Sequence, residues 1–186
     1  MVADDPVPLL LDTNVIIDLL KLGVLVDVAR LPRHSLLVVA EVRGEVLRPG
    51  QAEALRDAFG SCLIGEAVLD TIDEEALYAT LKEVLGAGEA ACLAMAHHRG
   101  FAVASDETRP KLMREVKRLI GNERLVRTPE LLAEGASSGL LSIDRLQGAV
   151  AALAATATSP RERDEVGHLE WVLARVRILA RQSDRA

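Results

Sequence analysis

The sequence predicts an α/β protein: a parallel sheet of about five strands flanked by helices, followed by a C-terminal helical extension. Three observations carry that prediction. Short apolar runs alternate with stretches of helical periodicity between Pro8 and Thr128. The runs are apolar throughout rather than at every second position, the pattern of strands covered on both faces. Beyond about Ser142 the runs stop and only helical patterns remain.

Pro8–Asp12 (PLLLD) is short, apolar and opened by a proline, and reads as a buried strand. Asn14–Leu20 follows as a helix, with Val15, Ile16, Leu19 and Leu20 at helical spacing. Ser35–Val39 (SLLVV) is the second strand, and a helix from about Val42 runs to the Pro49-Gly50 break. Ser61–Ile64 is a weaker third strand. A helix near Asp73–Val84 ends at Gly86, and a short helix over Glu89–His98 ends at Gly100, which turns the chain into strand Phe101–Ser105. The helix Pro110–Ile120 leads to a fifth strand, Arg124–Thr128, and Pro129 opens the next helix at its favoured first position. Strands joined through helices imply parallel pairing with right-handed crossovers.

Ile143–Ala157 and Arg161–Arg181 read as two helices joined at Thr158-Ser159-Pro160. In the second, Leu169, Val172, Leu173, Val176 and Leu179 form one apolar stripe, which must be buried on the sheet domain or on a partner. The chain thus divides into a sheet domain, 1–141, and a two-helix extension, 142–186.

Composition bounds the function. With 186 residues, 49% hydrophobic and 27% charged, the chain suits one folded domain with an appendage. No apolar run approaches the roughly 20 residues that span a bilayer, and MVADDPVP has neither the basic start nor the apolar stretch of a signal peptide. Cys62 and Cys92 are too few for a disulfide framework, so reduced thiols and a cytoplasmic location are expected. A formal charge of −6 argues against non-specific nucleic-acid binding through net charge, and 2% aromatics nearly exclude a base-stacking platform. Gly86-x-Gly88 is no dinucleotide fingerprint, and no Walker motif, serine elbow or zinc-ligand set is present.

The acidic residues are better placed than they are numerous. In parallel α/β sheets, ligands sit outside the carboxyl ends of the strands. Asp12-Thr13-Asn14 closes the first strand, Glu41 and Glu45 follow the second, Ser105-Asp106-Glu107 follows the fourth, and Glu89 begins the helix leading to it. Two carboxylates about 4 Å apart repel by about 4 kcal/mol at an effective dielectric of 20, so a fold that converges them calls for a counter-charge. Mg²⁺ or Mn²⁺ supplies it through oxygen ligands, and suits hydrolysis of a phosphodiester by an activated water. Plainer readings stand beside this one. Asp12 and Asp106 could be helix caps, Glu41 and Glu45 exposed charges, and Glu89 a complement to a helix dipole.

LLLDTNVIIDLL (Leu9–Leu20) and GAGEAACLAMAHHRGFAVASDE (Gly86–Glu107) resemble the two halves of a PIN domain, and ERLVRTPELLAEGASSGLLS (Glu123–Ser142) is similar to the ending of small prokaryotic members. The resemblance covers most of residues 7–142 and leaves the extension outside it. It implies a Rossmann-like sheet and a metal-dependent ribonuclease of the VapC toxin type, with RNA as substrate, a cognate antitoxin protein as partner and a homodimeric state. Asp12, Glu89 and Asp106 match the metal-binding acidic positions, with Thr13, Asn14 and Ser105 in support. The fourth catalytic acid is Glu45, favoured because it lies a turn into its helix and precedes apolar Val46, with Glu41 as the alternative. A non-catalytic PIN-fold module that binds RNA or protein is the competing reading. The sequence departs from the pattern in SDETRP, where Pro110 follows the last acid closely, and in its longer tail.

Arg109, Lys111, Arg114 and Arg118 offer a phosphate-contact strip beside this rim, or an ordinary solvated face. Adjacent His97 and His98 diverge by about 100° on a helix and read as a helix end rather than a chelate. Cys92 reads as a small core residue, and Trp171, the only tryptophan, as core more than interface. If part of the acidic excess serves a metal cluster, the net charge no longer argues against an RNA substrate, and the grip would fall on phosphates rather than on bases.

Overall fold

The structure, a computed structural model, describes residues 5–183. The elements in chain order are β1 (Val7–Leu11), α1 (Thr13–Lys21), α2 (Leu25–Val28), β2 (His34–Val39), α3 (Ala40–Glu45), α4 (Pro49–Gly60), β3 (Gly65–Ala67), α5 (Ile72–Lys82), α6 (Ala87–Arg99), β4 (Ala102–Ala104), α7 (Pro110–Leu119), β5 (Leu125–Val126), α8 (Thr128–Ser137), α9 (Ile143–Thr156) and α10 (Pro160–Ser183). The five strands form one all-parallel sheet in the order β3-β2-β1-β4-β5. Leu9, Leu10 and Leu11 are each shut off from solvent. Because successive strand residues point to opposite faces, that run requires cover on both.

The chain moves outward from β1 to β2 and β3, then crosses back to place β4 on the other flank of β1. Leu9, Leu10 and Leu11 pair with Ala102, Val103 and Ala104. Connections therefore depart in opposite directions from the carboxyl ends of β1 and β4, and a crevice opens there. The residues after these two strands are Asp12 and Ser105, and the Asp12 N–H continues the ladder to the Ala104 carbonyl at 3.0 Å.

Three expectations from sequence are corrected. The helix after β2 stops at Glu45, and Pro49 starts α4 at its first turn instead of ending a helix. Proline is favoured there because its missing N–H would be unbonded anyway. The third strand lies at Gly65–Ala67, beyond the Ser61–Ile64 segment. A turn with Cys62 at φ 55° occupies part of that segment. Gly65 then pairs with β2 at Leu37, where a Cβ would come within 2.7 Å of Leu37 Cδ2 and turn the end of that side chain aside. Trp171 is 54% exposed rather than in the core. The short helix α2 has no counterpart in the sequence reading.

The apolar stripe of the extension is consumed within the chain. Leu169, Val172 and Val176 are buried, and α10 packs on α8 and α9. The stripe therefore supplies no argument for a homodimer. Polar ties join the extension to the amino-terminal elements: Lys21 pairs with Glu165 at 2.9 Å, and Arg145 pairs with Asp27 at 2.8 Å and donates to the Gly23 carbonyl at 2.7 Å. No described helix is long and apolar enough to cross a membrane.

Candidate metal centre

Asp12 is the pivot. It ends β1 and caps α1, its Oδ1 accepting from the Thr13 N–H at 2.8 Å, while its Oδ2 accepts from the Ser105 hydroxyl at 2.9 Å. Only 3% of Asp12 is exposed. Burial pushes its carboxyl up to about 6; the bonds from Ser105 and Thr13 oppose this, and the charges of Glu89 and Glu45 add to it.

Glu45 reaches the same rim from the end of α3. Its carboxylate accepts from the Thr13 hydroxyl and, at 3.3 Å, from the Gly88 N–H at the start of α6. Of the two acids one turn apart on α3, Glu45 makes these bonds, while Glu41 is half-buried beside them. Glu89, in the first turn of α6, folds back to accept from the Gly86 N–H at 3.1 Å and also pairs with Arg109. The capping role and the rim position are thus held by the same side chains in Asp12 and Glu89. Beneath them, burial raises the Cys92 thiol well above its ordinary value, and Asp12, Glu41, Glu45 and Glu89 raise it further.

α3 and α6 can bring Glu45 to this rim because Gly88 has no side chain. A Cβ at Gly88 would stand 2.7 Å from Val42 Cγ2 and 3.3 Å from Glu45 Oε2. Gly88→Ala gains helix propensity yet is expected to lower stability by about 1–3 kcal/mol, because overpacking against Val42 outweighs it. A thermal melt that rises instead would contradict this packing.

Asp106 keeps different company. Its Oδ1 accepts from the Thr128 N–H at 3.0 Å, while its Oδ2 is buried without a hydrogen-bond partner. Together with Asp18 and His168 it forms a group whose ligand atoms all lie within 4.8 Å of one another. Asp18 is buried on α1 and accepts from His168 Nε2 of α10 at 2.8 Å, a bond that raises the His168 pKa. Sequence reasoning missed both residues. Asp18 left one signal, an acid inside the apolar run Val15–Leu20; His168 left none, since its neighbour depends on how α10 docks.

Around the rim, Arg127 ties down the loop after β4 by donating to the Ser105 carbonyl at 2.7 Å and the Glu107 carbonyl at 2.8 Å. Arg109 is committed to Glu89 and, at 2.9 Å, to Glu107; Arg118 is committed to Glu115 at 2.6 Å. Lys111 and Arg114 are exposed and have no ion-pair partner among the described residues. Asn14 is exposed and its side chain makes no hydrogen bond among them. A cavity of about 760 Å³ lies at the opposite end of the strands, lined by Val7, His34, Ala102 and Leu125 among others, away from these acids.

No family model, curated protein or solved structure matches this chain. The chemistry of the donor set is therefore the guide. Carboxylates from the end of β1, the end of α3 and the start of α6 line the crevice, near enough for Glu89 and Glu45 to add to the rise at Asp12, with Arg109 as the one cation paired to them among the described residues. Their oxygens suit a hard divalent ion in kind, yet among the described residues only Asp18, Asp106 and His168 bring three ligand atoms within 4.8 Å of one another.

Proposed function

We propose that this chain is a metal-dependent endoribonuclease of the PIN type, hydrolysing RNA phosphodiester bonds as the toxin of a toxin–antitoxin pair. The observation that carries the reading is Asp12, a buried carboxylate pushed up to about 6 with Glu45 and Glu89 beside it. Burial accounts for most of that rise and the two neighbouring acids add to it, and a cation at the rim would offset both. Asp12 and Glu89 would hold Mg²⁺ or Mn²⁺; Asp106, the third ligand that the resemblance implies, faces Asp18 and His168 instead. When bound, the ion supplies Lewis-acid polarisation of the phosphate and lowers the pKa of water.

The chain's own residues do the positioning. Ser105 and the Thr13 N–H fix both oxygens of Asp12, and the Thr13 hydroxyl aims Glu45. Glu45 is bonded to neutral donors rather than ion-paired, so it is the carboxylate available to take a proton from the attacking water. Lys111 and Arg114 offer phosphate contacts along α7. The toxin role and the antitoxin partner rest on the likeness of Leu9–Leu20 and Gly86–Glu107 to that class.

The Arg109–Glu89 pair favours a second reading, a non-catalytic module whose rim neutralises itself. Cleavage of a structured RNA with Mn²⁺, and with EDTA as control, separates the two. Glu45→Gln is expected to slow cleavage by about 100-fold or more, and Glu41→Gln by less than about threefold. No Mn²⁺-dependent turnover from the unmodified chain would refute the enzyme reading.

A further inference from the structure

We propose that Asp18, Asp106 and His168 form a second divalent-metal site, of mixed nitrogen and oxygen ligands, that staples the carboxy-terminal helix α10 to α1 and to the loop after β4. The three ligand atoms come from separate elements yet lie within 4.8 Å of one another. Two ligands held about 2.1 Å from one ion sit about 3–3.4 Å apart, so His168 Nε2 and Asp18 Oδ2, now 2.8 Å apart across a shared proton, would both reach an ion that takes that proton's place.

An ordinary ion pair explains part of this group and leaves part over. His168 satisfies Asp18 with one hydrogen bond. Asp106 Oδ2 remains buried with no hydrogen bond. Thr128, whose N–H binds the other oxygen of Asp106, is itself fully buried and has an unpartnered hydroxyl. Two carboxylates against one imidazole leave an excess negative charge at a partly enclosed site, where Asp18 is buried, Asp106 half-buried and His168 exposed. Buried polar atoms of this kind are rarely left unbonded, and a cation at Asp106 Oδ2 accounts for the charge and the open acceptor together. The imidazole selects the class of ion. Nitrogen with carboxylate suits Zn²⁺, Co²⁺ or Mn²⁺, whereas Mg²⁺ favours all-oxygen sets.

The fold provides its own reporter. Trp171, the only tryptophan in the chain, stacks on His168 with ring centroids 6.1 Å apart and planes 23° apart. Metal-free full-length protein titrated with Co²⁺ should show saturable quenching of tryptophan fluorescence and a visible absorption band from a nitrogen-containing site. His168→Gln and Asp18→Asn should each weaken the quenching transition at least about tenfold. Asp18→Asn keeps a side-chain oxygen to accept from His168, so that variant removes charge with little threat to folding, and a thermal melt of both variants checks it. Asp12→Asn and Glu89→Gln should leave the transition in place, and a hundredfold excess of Mg²⁺ should not displace it.

Absence of saturable quenching, or quenching unchanged by both His168→Gln and Asp18→Asn, would overturn the site and leave an ion pair only. RNA cleavage measured beside the Co²⁺ titration on the unmodified chain separates this inference from the ribonuclease reading on which it does not depend. A Co²⁺ transition without cleavage supports the staple and sinks the nuclease; cleavage without the transition does the reverse.

Discussion

Asp12→Asn is expected to abolish metal-dependent RNA cleavage and, in metal-free protein at pH 8, to raise stability by up to about 3 kcal/mol. The gain follows from the raised carboxyl. In the unfolded chain Asp12 ionises near 3.8, whereas in the folded chain it does so near 6. Below pH 3.8 both states hold the proton and the group costs nothing. Between the two values the unfolded chain releases its proton while the folded chain keeps it, so stability falls as pH rises, and above about 6 the whole penalty is present. A difference of about two units corresponds to about 3 kcal/mol, and burial of Asp12 leaves little water to screen it. Asparagine can still accept from Thr13 and carries no charge. Urea unfolding should therefore separate the two proteins at pH 8 and bring them together near pH 4. Mn²⁺ should raise the melting temperature of the unmodified chain, with a smaller effect on the variant. A variant less stable at pH 8, or one that still cleaves RNA, would remove the case for a cation-demanding centre.

Arg99→Met should be the most damaging single change away from the rim, costing about 3–5 kcal/mol. Arg99, in the last turn of α6, grips Glu74 of α5 with both prongs, Nε to Oε1 at 2.6 Å and the terminal nitrogen to Oε2 at 2.8 Å. The same terminal nitrogen donates to the Val68 carbonyl at 2.8 Å and to Asp70 at 2.7 Å. Glu74 is 1% exposed. The hydrogen bonds from Arg99 hold its carboxyl down at about 2 against the opposing effect of burial. Removing the guanidinium strands a buried charge, which is why the loss exceeds that of a surface pair. The double change with Glu74→Leu should recover much of it, since neither charge then remains. The carboxyl is lowered from 4.5 to about 2, so the pair's contribution is present above pH 4.5 and is lost as pH falls toward 2. Urea unfolding at pH 7, 4.5 and 3 reads this directly. A cost under about 1 kcal/mol for Arg99→Met would show the network to be solvated.

The rim acids are legible in the sequence because their positions depend on local chain. Asp12 follows an apolar strand, and Glu89 follows Gly86 at the start of a helix, so strand ends and helix starts place both. Glu41 and Glu45 are harder to separate. They lie one turn apart on one helix face, and only partners from elsewhere, Thr13 and Gly88, single out Glu45. The third strand escapes the sequence pattern because Gly65–Ala67 carries none of the β-branched residues that mark strands; parallel pairing with Leu37–Val39 of β2 places it. Nearness in sequence to Leu169 misdirects Trp171 toward the core. Two residues on a helix are about 200° apart, which turns Trp171 away from the face that Leu169, Val172 and Val176 bury.

The sequence by itself determined the α/β class, the apolar parallel strands, the alternation of helices and the positions of acids beside strand ends. These follow from periodicity and from residue chemistry acting over a few neighbours. Only the tertiary structure decided the sheet order, which acid of α3 meets Thr13, the internal burial of the α10 stripe, and the meeting of Asp18 with His168 across 150 positions. The reason is physical. Which helix packs on which is settled by shape and burial summed over the whole core, and no local pattern in the chain records that sum.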